Sequence, residues 1–369
     1  MLNIVICKNN MRNIGIDLLR LLAMIMICLL HTLGQGGVLA KLSPMSNGWL
    51  LAIFLEVLSF GAVNCYGLIS GYVGFKSGFK PHKIISLWFH VVFYTLVFLF
   101  AFKFIYPEMV SNHSIKLSLI PVVMGHYWYI TAYFGIFFFM PLINRAVEKL
   151  NFADIIRIFV IMFLAYVFWP GLNNIDTFGF SQGYSTFWLL YLYLIGACLA
   201  KFSNKIVVSN KSVVMVYIFC ILISFIGLYW IAYMRSIGNE NFCIYNNFFL
   251  SYTSPLVLVA AICMVIFFAK MRFKNRLIKN IIDLLTPANL SVYLIQVNYF
   301  IWHKFMYKYA ESYALCGIGE MLIKVLLSAV GIFVVCTVVD YGRIYLFKKV
   351  GIADISINIL NVLSKNILK

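Results

Sequence analysis

Residues 16–31 read IDLLRLLAMIMICLLH, an apolar run interrupted by an acid, a fixed cation and an imidazole: Asp17, Arg20 and His31. Arg20 and His31 stand eleven positions apart. At 100° per residue that is only about 20° off three full turns, so in a helix they share one face, separated by about 16 Å along the axis. Asp17 precedes Arg20 by three residues on that face and can neutralise it as an i, i+3 pair. A charged side chain inside a membrane span costs several kcal/mol unless it meets a partner or a water-filled cavity, which makes the pattern a functional-site hypothesis. The competing reading, equally open at this point, is a structural Asp17–Arg20 pair with a hydrogen-bonded histidine near the interface.

Working outward, the chain is 369 residues long, 63% hydrophobic and 11% charged, against about a quarter charged for a soluble domain. Its mean hydropathy is +0.94. Apolar runs approaching the roughly 20 residues that cross a bilayer recur along the whole length. They predict an all-α polytopic bundle of about ten spans filling residues 1–369 as one domain: 14–34, 49–72, 84–106, 126–144, 155–171, 186–200, 212–232, 249–269, 289–307 and 318–346. The basic N-terminal flank resembles a signal sequence, but its apolar part is too long and no A-x-A site follows, so the first span is expected to be retained.

Of the 29 Lys and Arg residues, 21 fall in the two tails and in the loops after even-numbered spans, and six on the opposite side. By the positive-inside rule both termini are then cytoplasmic, with short tails 1–13 and 347–369. The net charge of +17 is thus a topology signal, and its spread over many short segments argues against a nucleic-acid partner. The outer loops 173–186 and 235–247 are polar with interspersed aromatics, which suits a neutral or glycan-like ligand as well as mere solvation.

The nine cysteines form no CxxC pair, and most sit in apolar runs where a thiol is a small hydrophobe. Cys243 and Cys316, in outer loops, leave a disulfide open. No metal is expected. Glu56, in the second span, lies near the depth of His31 and can orient its imidazole and stabilise the cation; the alternative is a carboxyl that is protonated or turned to the outer loop. The segment SGYVGFKSGFKPHK, 70–83, brings Lys76, Lys80 and Lys83 to the Arg20 end of the first helix. It lacks the P-loop pattern, but ammonium groups bind phosphate as point charges; topology and anionic lipid are the blander readings. Trp128 and Tyr129 open the fourth span as an interfacial belt or as a stacking platform. Gln296 and Asn298 place polar groups within the ninth, where contact with a substrate would use them.

Several of these segments together resemble the membrane acyltransferase-3 family, polytopic bacterial enzymes that O-acylate cell-surface glycans. Its members carry an Arg, ten residues and a His in the first span, matched by Arg20 and His31. The chain is also similar in LISGYVGFK closing the second span, YWYITAYFGIFFFMPLIN in the fourth and LSVYLIQVNYF in the ninth, and most of all to members acting on capsule or O-antigen. One departure stands out: where the family commonly has Tyr-Leu-Ile-His, this chain has Gln296.

The resemblance implies an acyl-CoA donor, most often acetyl-CoA, bound from the cytoplasm, and an essential His31. A neutral imidazole is a competent base at neutral pH. Arg20, Lys76, Lys80 and Lys83 would then hold the donor's phosphates, and the extended pantetheine arm would cover the distance to His31. The expected partners are the donor, a glycan or glycolipid acceptor and membrane lipid. Two other functions compete. A polysaccharide flippase or exporter would be favoured by twelve or more spans, and a glycan polymerase by a large charged outer loop.

Overall fold

The computed structural model describes residues 12–367. Most of the expected 1–13 tail, with Cys7 and Lys8, lies outside them, as does Lys369. The described residues are helical throughout, with turns and no strand. The principal helices are α1 (Ile14–Leu33), α2 (Asn47–Ser77), α3 (His82–Ile105), α4 (Asn112–Leu119), α5 (Trp128–Phe137), α6 (Met140–Lys149), α7 (Phe152–Asn173), α8 (Thr186–Lys201), α9 (Asn210–Ser236), α10 (Pro255–Lys270), α11 (Arg276–Leu285), α12 (Asn289–Gln296), α13 (Ile318–Val350) and α14 (Ile352–Ile367).

By length and composition α1, with the short turn after it, α2, α3, α7, α9 and α13 can each cross a membrane. A seventh crossing arises if α5 and α6, bent by 58° at their junction, are one span. The protein is therefore a multi-pass membrane protein. Its α8 and α10 are apolar but only 16 residues long, about 24 Å at 1.5 Å per residue.

The expected ninth span, 289–307, is not one helix. α12 stops at Gln296, and Asn298 turns extended (ψ 137°) with its side chain accepting from the Phe300 N–H at 3.2 Å. Irregular backbone inside a bundle survives where protein re-satisfies it. Here Gln35 Nε2 donates to the Trp302 carbonyl at 3.2 Å, and Lys308 and Ala310 donate to Gln35 and Gly36. Two more elements depart from the sequence expectation. The basic loop before residue 289 folds into the amphipathic α11, and the expected tail 347–369 is largely helix, α14 packing on α3 through a Ser86–Ser356 hydrogen bond of 2.9 Å. Cys243 and Cys316 are free thiols, contacted by Arg235 and Lys324 respectively.

α1 is the hub. Asn13 caps it by accepting from the Ile16 N–H, and it packs against α2, α10, α12 and α13, with Leu19, Ala23, Cys28 and Leu33 wholly buried. A close backbone approach joins α2 to α8: a Cβ on Gly71 would stand 1.9 Å from the Tyr193 carbonyl oxygen, and one on Gly196 2.0 Å from that of Leu68. Small residues that let backbones touch are how helices associate where no hydrophobic force drives them together. Because α8 is pinned to α2 in this way, the aromatics entering from its N-terminal loop face the same interior as α1.

Candidate active site

Asp17 and Arg20 form the ion pair expected from their spacing, with Nη1 2.7 Å from Oδ1. Asp17 also takes Arg12, whose second contact, 2.8 Å to Asp283, ties α11 to the start of α1. One carboxylate thus serves two guanidinium groups. Arg20, 28% exposed in its side chain, keeps capacity for another anion and faces a cavity of about 420 Å³ that Lys80 and Lys83 also line. Lys76 sits elsewhere. Its Nζ donates to the Tyr72 hydroxyl at 3.0 Å, lies 4.4 Å above that ring, and borders a separate cavity with Asn13 and Arg272.

His31, in the last turn of α1, opens on a second cavity of about 460 Å³. Glu56, Trp128 and Tyr129 line it as well, so four of the sequence-selected residues share one space. Behind the imidazole stands Gln296, its Oε1 3.1 Å from His31 Nδ1 and its amide nitrogen 3.6 Å from Cys28 Sγ. An amide oxygen only accepts, so Nδ1 carries the proton and Nε2 keeps the lone pair. Trp302 holds the other side, edge to face with the imidazole at 4.9 Å. Asn298 is wholly buried and serves the backbone turn and the Tyr127 hydroxyl (3.1 Å), away from both cavities.

The two cavities share three wall residues, Tyr66, Tyr129 and Leu290. Tyr66 is fixed at that boundary: its hydroxyl donates to the Arg20 carbonyl at 2.8 Å and accepts from Asn289 Nδ2 at 2.6 Å. The cationic chamber and the histidine chamber therefore adjoin along α1, with Arg20 and His31 about 16 Å apart by helix rise and Tyr66, Tyr129 and Leu290 between them. Asn289 Oδ1, buried on the cationic side, has no hydrogen-bond partner.

Sequence reasoning did not single out Tyr66, Tyr184, Tyr252, Tyr293 or Trp302, which complete the histidine chamber. The chain has 23 tyrosines and 34 phenylalanines, so an aromatic signal carries little information until the fold selects among them. Trp128 illustrates the selection: its ring lies 4.7 Å from that of Tyr184 and stacks on Tyr252 at 6.0 Å, within the aromatic wall of the histidine chamber.

Compared with known proteins, residues 13–341 match a family model described as an acyltransferase domain. No curated protein and no solved structure matches.

Proposed function

Because the chain belongs to the acyltransferase-3 family, its model spanning nearly the whole sequence, we propose that this acyltransferase is an O-acetyltransferase of surface glycans. It takes the acyl group from cytoplasmic acyl-CoA and delivers it to a hydroxyl of a capsule, O-antigen or exopolysaccharide sugar. The observation that carries this reading is that a cationic chamber and a histidine chamber adjoin along α1 and share Tyr66, Tyr129 and Leu290 as a common wall.

In this reading Arg20, Lys80 and Lys83 take the donor's phosphates, charge-assisted contacts being the strong ones for such groups. The pantetheine arm runs past Tyr66 and Tyr129. Its amide N–H groups suit the unpartnered Asn289 Oδ1, a buried acceptor that is costly to leave unpaired. At the far end His31 Nε2 removes the proton from the sugar hydroxyl as the oxygen attacks the thioester carbonyl. The new ester forms as the C–S bond breaks, and the proton passes from His31 to the departing thiolate. Glu56, in the same chamber, favours the transient imidazolium. The acceptor reaches the chamber from the outer side of the inner membrane, and both termini lie in the cytoplasm.

The test is acetyl transfer by the full-length protein in nanodiscs, with radiolabelled acetyl-CoA and glycolipid from the host strain. Label should reach glycolipid with wild type and be lost in His31→Ala at equal donor affinity. Equal label in both would remove His31 from the chemistry. A knockout strain that lacks surface glycan altogether, rather than only its acyl groups, would favour export.

A further inference from the structure

A third cavity, about 230 Å³, is built by the C-terminal end of α7, the 174–182 loop and Asn247 and Thr253 from the segment before α10. The loop is held in an expensive shape. Asn174, Gly179, Ser181, Gln182 and Gly183 all have left-handed φ, between 48° and 101°. Among the described residues only Met45 and Lys308 are other non-glycine cases. For the non-glycine residues Asn174, Ser181 and Gln182 such conformations cost up to about 1–3 kcal/mol each and persist where surrounding structure enforces them, often at ligand sites. Asp176 is the enforcement: Oδ1 accepts from the Phe180 N–H at 2.7 Å and Oδ2 from the Ser181 N–H at 2.8 Å. Asn247 Nδ2 fixes the rim by donating to Asn174 Oδ1 at 2.8 Å.

The lining identifies the ligand's chemistry. Tyr166, Phe178 and Phe180 cluster with ring centroids 4.4–6.1 Å apart, giving apolar faces. Around them Gln182, Asn247 and Thr253 offer both donors and acceptors. Asp176 is the only charged residue in the wall, and it is an anion, which disfavours phosphate or an acidic group. Apolar faces ringed by neutral carboxamides and hydroxyls suit a neutral polyhydroxylated ring.

The position relates this cavity to His31. Gln182 lines it while Tyr184, two residues on, lines the histidine chamber; Thr253 lines it while Tyr252 lines the histidine chamber. The two turns are in direct contact, since a Cβ on Gly183 would stand 2.3 Å from that of Tyr252. Trp188 stiffens the junction through Asn64, which accepts from the indole N–H at 3.1 Å and donates to the Tyr252 carbonyl at 2.8 Å. We propose that this cavity is a saccharide subsite, so that the acceptor is a chain of at least two neutral sugars, the reacting one in the His31 chamber and its neighbour against Phe178 and Asn247.

The proposal rests on the acyltransferase reading of the His31 chamber, and the experiment separates the two. Base-deacylated fragments of the host strain's surface polysaccharide, sized from one sugar to six, are titrated calorimetrically into the full-length protein in nanodiscs without donor, and then used as acceptors with labelled acetyl-CoA. Affinity should rise about tenfold from one sugar to the longer fragments, and Phe178→Ala and Asn247→Ala should each erase that gain. In transfer, both variants should raise KM for long fragments while leaving kcat, and all parameters for a single sugar, unchanged, the pattern of lost uniform binding. Affinity that does not depend on length in wild type, or a length gain that survives both replacements, overturns the subsite even if transfer is robust. A length gain erased by the variants with no transfer to any fragment keeps the subsite and overturns the acyltransferase reading for these glycans.

Discussion

Gln296 accepts from His31: its Oε1 lies 3.1 Å from Nδ1, across 265 positions of sequence. This contact fixes the ring's tautomer and leaves Nε2 as the basic nitrogen facing the chamber. Replacing Gln296 by Leu, close in volume, removes the acceptor and lets the imidazole choose the other tautomer. Partners that orient metal-bound imidazoles are worth about 10–100-fold, and by the same orienting argument kcat for acetyl transfer should fall by about that much with little change in donor KM. Gln296→His, which restores an acceptor, should recover most of the rate. Unchanged kcat in Gln296→Leu would show that the orientation comes from Trp302 alone.

Lys80 and Lys83 line the Arg20 chamber, whereas Lys76 is engaged with Tyr72. Lys80→Ala and Lys83→Ala should each raise KM for acetyl-CoA about tenfold, equivalent to about 1.4 kcal/mol, with the effect shrinking as salt screens the remaining charges. Lys76→Ala should leave that KM alone and lower thermal stability by the loss of its contact with Tyr72. Initial rates over a donor series at two ionic strengths decide it.

The division among these lysines shows how far the sequence could be read. The Arg20–His31 spacing and the Asp17 pair were legible because helical geometry is local. Depth alone left Glu56 open between a partner of His31 and a carboxyl turned to the outer loop, and only the packing of α2 on α1 places both in one chamber. Lys76, Lys80 and Lys83 looked equivalent because a charge run carries no information about which side chain a tyrosine captures. The break at Asn298 was hidden by an apolar run, since hydropathy counts side chains and not backbone groups that Gln35 and Gly36 can satisfy. Likewise α11 was masked because its Arg276 and Lys279 already had an explanation as topology signals.

Gly71 and Gly196 hold α2 against α8, each with a carbonyl oxygen about 2 Å from where a Cβ would stand. Gly71→Ala and Gly196→Ala must push the helices apart, and overpacking of this kind costs about 1–3 kcal/mol. Both should lower the detergent-phase Tm measurably. Gly331→Ala on α13, where nothing lies within 4 Å, should hold or raise it through helix propensity. Equal Tm in all three would mean that the α2–α8 contact yields without cost.

Asp340 and Arg343 of α13 pair inside the bundle at 2.6 and 2.8 Å, and the carboxylate also accepts from Tyr94 of α3 and Ser291 of α12. His90 Nε2 stands 2.6 Å from Ser291 Oγ. Three helices meet at one buried anion. Asp340→Ala strands the guanidinium, and breaking a buried pair from one side costs about 3–5 kcal/mol. Asp340→Ala with Arg343→Met should be less damaging than Asp340→Ala by itself, which thermal unfolding of the purified variants checks. If the double variant is the less stable, the Arg343 guanidinium is held by its place 5.0 Å over the Phe347 ring even without Asp340, and the stranded charge is not the cost of the single variant.

Leu290 belongs to the walls of both chambers, beside Tyr66 and Tyr129. If the acyl arm crosses this boundary to reach His31, enlarging Leu290 should obstruct the arm without touching the phosphates' cations or the imidazole. Leu290→Trp should therefore bind acetyl-CoA within about twofold of wild type, since the cations proposed to hold its phosphates remain. Its kcat should drop by about 100-fold or more, because a misplacement of the reacting carbon of about 1 Å already costs that much. Leu290→Ala, which widens the boundary, should retain kcat within about threefold and supplies the check that residue 290 is not needed for folding. The readout is donor affinity by equilibrium binding beside single-turnover transfer to glycolipid. Full transfer in Leu290→Trp would mean that the acyl group reaches the sugar by a route that does not pass between the chambers, and their adjoining along α1 would lose its mechanistic meaning.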